Sequence, residues 1–297
     1  MEHLEFYFGS KNNRPEQLKF GLFIIGNKMG KKKISIAIDQ QPPQQPARLI
    51  FLLDRSTSMM RMREEAVSGY NQYLKGQQEA EGEAKISLIF FDSQLKVVYD
   101  QVDVKSAAPI KLSDQLNCVD PLVYEPQGMT SLFDFIHQAI MMYKETHQSN
   151  QKTILTILTD GDDTSSRVHT YSSVHRLITE IQNELKWEVM FLGANMNAKD
   201  FANRVGIKMG NTSQFDYTSK GIGDAMRSMN LATSYTRGDS AAAAFVGASA
   251  CASADGSVNM SALYDTVAST TPDDISDRLK KFKADKKSKD IGGGSGD

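Results

Sequence analysis

Polar side chains occupy every second position of Asp54-Arg55-Ser56-Thr57-Ser58, directly after the apolar run Leu49 to Leu53. Alternate residues of an extended segment face the same way, so Asp54, Ser56 and Ser58 can direct three oxygen atoms at one point. Hard divalent cations prefer such oxygen ligands. Taken alone, however, the segment is explained first by a helix N-cap, because Ser and Asp favour that position at a strand-to-helix turn.

Two further segments place oxygen atoms at equivalent points of the chain. Thr130 precedes a predicted helix, and Asp160 follows the most apolar predicted strand, Ile154 to Leu158. Ligands of parallel α/β sheets collect at the carboxyl ends of the strands, where the loops converge. Asp54, Thr130 and Asp160 all fall at such loop positions, which favours one shared binding site over an isolated helix cap.

The ordered set of DxSxS, a Thr that opens a helix and an Asp after a strand resembles the metal-ion-dependent adhesion site of von Willebrand factor type A domains. Met59, Leu132, Asp134 and the Thr-Asp-Gly at 159–161 also match that family. The resemblance covers roughly residues 48–235. It implies a doubly wound sheet with one antiparallel edge hairpin and a bound Mg²⁺ or Mn²⁺ ion.

The resemblance also implies a role for each site residue. Ser56 and Ser58 would be direct metal ligands, and Thr130 a third. Asp54 and Asp160 would act mainly through water. Because three of the five groups are neutral hydroxyls, the ion keeps its attraction for a further anion. The implied function is protein recognition, in which an Asp or Glu carboxylate of a partner completes the metal shell.

The residues favour binding over an enzymatic function. An Asp at the end of the first buried strand is also a feature of haloacid dehalogenase phosphatases, but that family has a second Asp two residues later as general acid. Ser56 occupies that position here, so the proton donor is missing. The chain has no GxSxG, HExxH, P-loop or GxGxxG motif. We therefore expect no catalysis, with a metal-dependent phosphohydrolase and a metal-free scaffold as the alternatives.

Short apolar runs alternate with amphipathic stretches, which predicts a doubly wound, mostly parallel α/β sheet. The predicted strands are 48–54, 84–91, 95–101, 153–159, 188–192 and 214–217. The predicted helices are 61–78, 131–146, 169–185, 198–205 and 222–231. Only three residues, Asp92-Ser93-Gln94, separate the second and third strands, so this pair is expected to be an antiparallel edge hairpin.

Composition divides the chain into three parts. Residues 1–46 predict a small β-rich segment and a linker, QQPPQQP; its hairpin could extend the sheet, dock on the metal face or form a separate domain. Residues 47–236 predict the von Willebrand factor type A-like domain. Residues 237–297 are rich in Ala, Ser and Gly and then basic, which predicts a flexible tail with one short helix starting at Pro272-Asp273-Asp274. There, Arg237-Gly238-Asp239 matches an integrin-recognition tripeptide, which we interpret as coincidence.

Charge and cysteine content bound the partners and the compartment. Thirty-four Lys and Arg against 36 Asp and Glu give a net charge of -2, which provides no general attraction to nucleic acid or to a membrane. Cys118 and Cys251 have neither a zinc nor a disulfide spacing, which favours a reducing compartment. With no cleavable signal sequence recognised, we expect a cytoplasmic protein. The sequence leaves the partner's identity and the oligomeric state open.

Overall fold

The computed structural model describes residues 46–112, 119–194, 197–216, 218–253 and 257–292, with side chains as far as Lys286. Some predictions fall elsewhere. The N-terminal β-rich segment lies outside the described residues except for Pro46, as do Cys118 and Tyr217.

In the part of the chain that the structure describes, six strands form one sheet in the order β3-β2-β1-β4-β5-β6. They are β1 (Ala47–Asp54), β2 (Ala84–Phe91), β3 (Leu95–Asp103), β4 (Thr153–Thr159), β5 (Glu188–Ala194) and β6 (Thr212–Phe215). β1 is central and pairs in parallel with β2 and β4, and β5 and β6 continue the parallel arrangement. β2 and β3 are antiparallel. The predicted fold class is confirmed.

Strand β1 shows how the sheet builds a core on each face. All eight of its residues are buried. Alternate side chains point to opposite faces, so Leu49 and Phe51 belong to one apolar cluster and Ile50 and Leu52 to another. A strand buried on both faces has a continuous apolar run, which is the pattern that revealed it in the sequence.

Eight α-helices of the described residues cover the two faces of the sheet. They are α1 (Arg63–Glu79), α2 (Leu132–Lys144), α3 (Tyr171–Asn183), α4 (Ala198–Arg204), α5 (Ser219–Arg237), α6 (Ser240–Ala248), α7 (Met260–Ala268) and α8 (Pro272–Gly292). Helices α2, α3 and α4 pack on the face of Ile50, whereas α1 and α5 to α8 contribute to the cluster of Phe51. A short 3-10 helix, Thr57–Met62, precedes α1.

The expectation of a flexible tail after residue 236 is wrong for its described residues. They form the end of α5 and helices α6, α7 and α8. Phe245 and Val246, Leu263 and Val267, and Ile275 are all buried in the cluster of Phe51. Small residues had indicated disorder, but a few large apolar side chains at helical spacing are enough to anchor these helices on an existing core.

The Arg-Gly-Asp tripeptide joins α5 to α6 and is largely buried. Arg237 donates hydrogen bonds to Gln77 at the end of α1, with Nη1 2.7 Å from the main-chain oxygen. Gly238 has φ of 93° and ends α5, a left-handed position that glycine adopts without strain. Asp239 caps α6 and also accepts from the Glu81 amide. The roles of the tripeptide are therefore structural, which agrees with the interpretation that its match to an integrin-recognition sequence is a coincidence.

None of the described helices is both long enough and apolar enough to cross a bilayer.

Candidate metal centre

Asp54 ends the central strand and is completely buried. Its Oδ1 accepts a hydrogen bond from the Ser56 amide at 2.7 Å, and its Oδ2 accepts from the Thr159 hydroxyl at 2.5 Å. Burial raises the pKa of the Asp54 carboxyl to about 7, although these hydrogen bonds lower it; the charge of Asp160 adds to the increase. Burial therefore disfavours the carboxylate form of Asp54.

The two serines of the DxSxS segment face the same point. Ser56 is extended, with φ of -67° and ψ of 164°, and the 3-10 helix begins after it. The Ser56 and Ser58 hydroxyl oxygens are 2.9 Å apart, although Ser58 lies in the first turn of the 3-10 helix and not in the extended segment that the sequence predicted. Ser56 stands at the cap position of the 3-10 helix, yet its side chain makes no capping hydrogen bond. Helix capping is therefore not the role of this hydroxyl.

Asp160 joins this group from the loop after β4, the strand that lies next to β1 in the sheet. It follows β4, and its Oδ1 accepts a hydrogen bond from the Ser58 hydroxyl at 2.7 Å. The preceding Thr159 supplies the hydrogen bond to Asp54. Hydrogen bonds therefore connect four of the five predicted site residues, Asp54, Ser56, Ser58 and Asp160. Ser58 is exposed, so the group opens to solvent.

Thr130 lies at the same edge of the sheet, two residues before α2. Its carbonyl oxygen accepts from the amides of Thr164 and Ser165, at 2.8 and 3.1 Å, and its own amide donates to the Thr164 hydroxyl at 3.1 Å. Two residues earlier, the Gly128 carbonyl accepts from the Thr57 amide at 3.1 Å. Main-chain hydrogen bonds thus tie the Thr130 segment to the loops after β1 and β4.

The chemistry of this group matches a hard divalent cation. The described residues contain no cluster of three or more His, Cys, Asp or Glu side chains arranged for a metal. The group here is of another kind: hydrogen bonds join two carboxylates and two hydroxyls, and Thr130 lies at the same edge of the sheet. Such oxygen atoms are the donors that Mg²⁺ and Mn²⁺ accept. A cation would compensate the charge of the two buried carboxylates. The residues present therefore fit such an ion.

Several supporting residues were not recognised from the sequence. The Tyr124 hydroxyl donates to the Asp54 carbonyl at 2.5 Å, and Thr164 holds Thr130. Arg55 forms a buried ion pair with Asp92. Asp92 directly follows β2, and Asp54 is the last residue of β1, so the position of Asp92 at a parallel strand end was a signal that could have identified it.

The acidic residues that follow Asp160 have separate surroundings. Asp162 is exposed. Asp163 accepts hydrogen bonds from the Phe133 amide in the first turn of α2 and from the Ser166 hydroxyl, at 3.2 and 2.5 Å. Asp134 accepts from three consecutive amides beginning at Arg167. Burial opposes ionisation of Asp134, but these amides lower its pKa. Asp163 and Asp134 therefore shape the loop that carries Asp160.

Comparison with known proteins adds to this geometry. The family model described as von Willebrand factor type A domain matches residues 49–231. The chain belongs to this family. The von Willebrand factor type A match covers β1 from Leu49 to its last residue, Asp54, and ends within α5, so α6 to α8 lie beyond it. No curated protein sequence matches the chain.

The chain is similar to several solved structures. A von Willebrand factor type A protein from Catenulispora acidiphila is 13% identical, with 65% of this chain and 43% of that chain covered and a TM-score of 0.47. The pilus adhesin SpaC from Lactobacillus rhamnosus GG is 12% identical, with 64% and 31% covered and a TM-score of 0.50. Proximal thread matrix protein 1 from the mussel byssus, with a zinc-occupied MIDAS motif, is 12% identical, with 62% and 47% covered and a TM-score of 0.42.

The chain covers less than half the length of each of these three proteins. At such low identity the similarity shows the fold alone. The family often mediates protein interactions and metal binding, which is the general context for the group around Asp54.

Proposed function

We propose that the domain binds Mg²⁺ or Mn²⁺ through Asp54, Ser56, Ser58, Thr130 and Asp160, and that the ion binds an Asp or Glu carboxylate of a protein partner. The observation that carries this proposal is the hydrogen-bonded series from Asp54 through the serines to Asp160. It brings two carboxylates and two hydroxyls from separate strands to one point that opens to solvent.

The hydroxyl and carboxylate groups of the chain would have different roles in binding the cation. Hydroxyl oxygens bind the cation without neutralising it, whereas the two carboxylates supply charge that retains it. When bound, the cation supplies a positive centre for an incoming anion. Main-chain hydrogen bonds from Thr57 to Gly128 and from Thr164 to Thr130 hold the oxygen donors in place before an ion arrives. Such preorganisation reduces the cost of binding.

The loops of the site also carry exposed apolar side chains, which favours a protein as the partner. Met60 follows Ser58 by two residues, Met129 precedes Thr130, and Val168 lies in the loop held by Asp134; they are 42%, 55% and 76% exposed. Methionine is enriched in protein interfaces, where its flexible side chain adapts to a partner. A small inorganic anion would leave these side chains in water.

A metal-free scaffold is the second candidate, and one observation favours it. The Thr159 hydroxyl donates to Asp54 and the Ser58 hydroxyl to Asp160, so both carboxylates have partners without a cation. These hydrogen bonds could maintain the loops by themselves.

We propose binding over catalysis, because Ser56 cannot replace the general acid of a phosphohydrolase. A cytoplasmic location, proposed on the cysteine content, is consistent with either candidate.

Isothermal titration of the full chain with MgCl₂ and MnCl₂, after treatment with a chelator, tests the proposal. Wild-type protein is expected to bind one ion, and a Ser56→Ala, Ser58→Ala double variant to bind it at least tenfold more weakly, as loss of metal-site contacts generally does. Ser68→Ala, which removes an exposed serine of α1, is the matched control. No binding by wild type would favour the metal-free scaffold, whereas equal affinity in all three proteins would refute the assignment of Ser56 and Ser58 as metal ligands.

A further inference from the structure

A buried ion pair lies beside the proposed metal ligands. Arg55 stands between Asp54 and Ser56 in the chain, and Asp92 is the first residue after β2. The Arg55 Nη2 and Nε atoms both donate to the Asp92 Oδ2 atom, at 2.6 and 2.9 Å. Their side chains are only 8% and 4% exposed. Because desolvation offsets the attraction in such pairs, net stability is a poor explanation for this one.

The main chain of the pair lies where three segments meet. The Arg55 amide donates to the Phe91 carbonyl at 2.7 Å, which continues the pairing of β1 with β2. The Arg55 carbonyl accepts from the Gln127 amide at 2.7 Å, and the Asp92 carbonyl from the Ser131 amide at 3.0 Å. The two partners therefore hold the chain on both sides of Thr130, while Arg55 also lies within the DxSxS loop.

The turn between β2 and β3 gives the Thr130 segment a further support. Asp92 Oδ1 accepts from the Gln94 amide at 2.8 Å, so its two carboxylate oxygens serve the turn and Arg55 respectively. The Ser93 hydroxyl in the same turn accepts from the Met129 amide at 2.9 Å. The position of this turn therefore affects the position of Met129, the residue next to Thr130.

We infer that Arg55 and Asp92 are positioning residues that set the separation of the DxSxS loop and the Thr130 segment, and so the size of the metal site. This inference rests on the proposed metal-binding function. Arg55 also compensates a third carboxylate at a sheet edge that already holds Asp54 and Asp160. Without Arg55, the Asp92 charge would be free to draw the β2–β3 turn toward the cation and away from Thr130.

The test is the dissociation constant for Mn²⁺, measured by titration calorimetry on full-length Arg55→Gln and Asp92→Asn variants. Each is expected to weaken binding about 10- to 100-fold, the usual effect of removing a group that orients metal ligands. The double variant should bind no more weakly than the worse single one, because both changes break one pair. If Arg55→Gln fails to fold, Asp92→Asn still tests the pair, since its amide oxygen can accept from Gln94.

Arg48→Gln is the matched control. Arg48 lies at the other end of β1, is buried, and donates to the Tyr143 and Thr146 carbonyls at 3.1 Å. Its loss should lower the unfolding temperature without changing the affinity for Mn²⁺. An Arg55→Gln variant that behaves like Arg48→Gln, less stable but with unchanged affinity, would overturn the positioning role and leave the metal site standing. A wild type that binds no Mn²⁺ would instead overturn both.

Hydrogen exchange in excess chelator provides a readout that needs no metal. The amides of Gln127 and Ser131 donate to Arg55 and Asp92, so their exchange should become faster in both variants. The Arg48→Gln protein should retain the wild-type exchange rates at these two amides. Unchanged rates in Arg55→Gln and Asp92→Asn would also overturn the inference.

Discussion

Mg²⁺ is expected to raise the unfolding temperature of the wild-type protein and to have no effect on an Asp160→Asn variant. Asp160 provides one of the two carboxylates and accepts a hydrogen bond from Ser58. Asparagine retains an oxygen that can accept that hydrogen bond, but it removes the charge. The loops should therefore keep their arrangement while the cation loses one of its two anionic partners.

The size of the effect follows from ligand linkage. At a Mg²⁺ concentration 100 times the dissociation constant, an ion that binds only the folded protein stabilises it by about 2.7 kcal/mol. For a domain of 150 to 250 residues, each kcal/mol corresponds to roughly 2–4 °C in the midpoint. The wild-type midpoint should therefore rise by about 5–11 °C. In chelator the variant should be at least as stable as wild type, because the repulsion between Asp160 and Asp54 is removed.

Scanning calorimetry in excess chelator and then in Mg²⁺, Mn²⁺ or Ca²⁺ measures these shifts. Asp162→Asn, the same substitution at an exposed position two residues later, is the control and should keep the full shift. An Asp160→Asn protein that still gains 5 °C or more would refute the assignment of Asp160, although it would not exclude a site elsewhere. A much lower midpoint of that variant in chelator would show that Asp160 serves mainly to hold the loops.

Three further substitutions test other features. Gly128→Ala should lower the free energy of unfolding by about 1–2 kcal/mol in urea denaturation, because φ is 69° and a Cβ atom would lie 2.9 Å from the Ser93 hydroxyl. Arg237→Gln should lower it by about 2–3 kcal/mol in the same assay, because buried carbonyls at the end of α1 lose their donor; an unchanged midpoint would contradict the structural role of the tripeptide. Burial, and then the stacked His169, lowers the pKa of His137 below its ordinary value of 6.5. Neutral His137 therefore contributes stability above pH 6.5 that is lost as the pH falls, and His137→Gln should flatten this part of the pH–stability curve.

The sequence predicted the sheet well because burial on both faces leaves a strong pattern. The predicted bounds of β1, β2 and β4 lie within one residue of those observed, and the three-residue connection after β2 correctly indicated an antiparallel pair. β6 was less well predicted, with 214–217 expected and Thr212–Phe215 observed. It is a short edge strand that includes polar residues, so its apolar pattern is weak.

The C-terminal helices show where composition misled. Residues 237–297 have few large apolar side chains, and their average composition resembles that of disordered chains. Phe245 and Leu263 are stabilised by packing on a core that the rest of the domain provides. The sequence of these residues alone contains no information about the core surface on which they pack. It therefore could not predict that the helices would dock there.

By itself, the sequence determined which oxygen-bearing residues stand at strand ends, because strand periodicity and parallel topology place Asp54 and Asp160 at one edge of the sheet. Only the tertiary structure decided how these residues are held. The hydrogen bonds from Ser58 to Asp160 and from Thr159 to Asp54, and the ion pair of Arg55, all join groups far apart in the chain. Such contacts depend on distances that folding alone sets, whereas strand-end positions follow from a repeat of two residues.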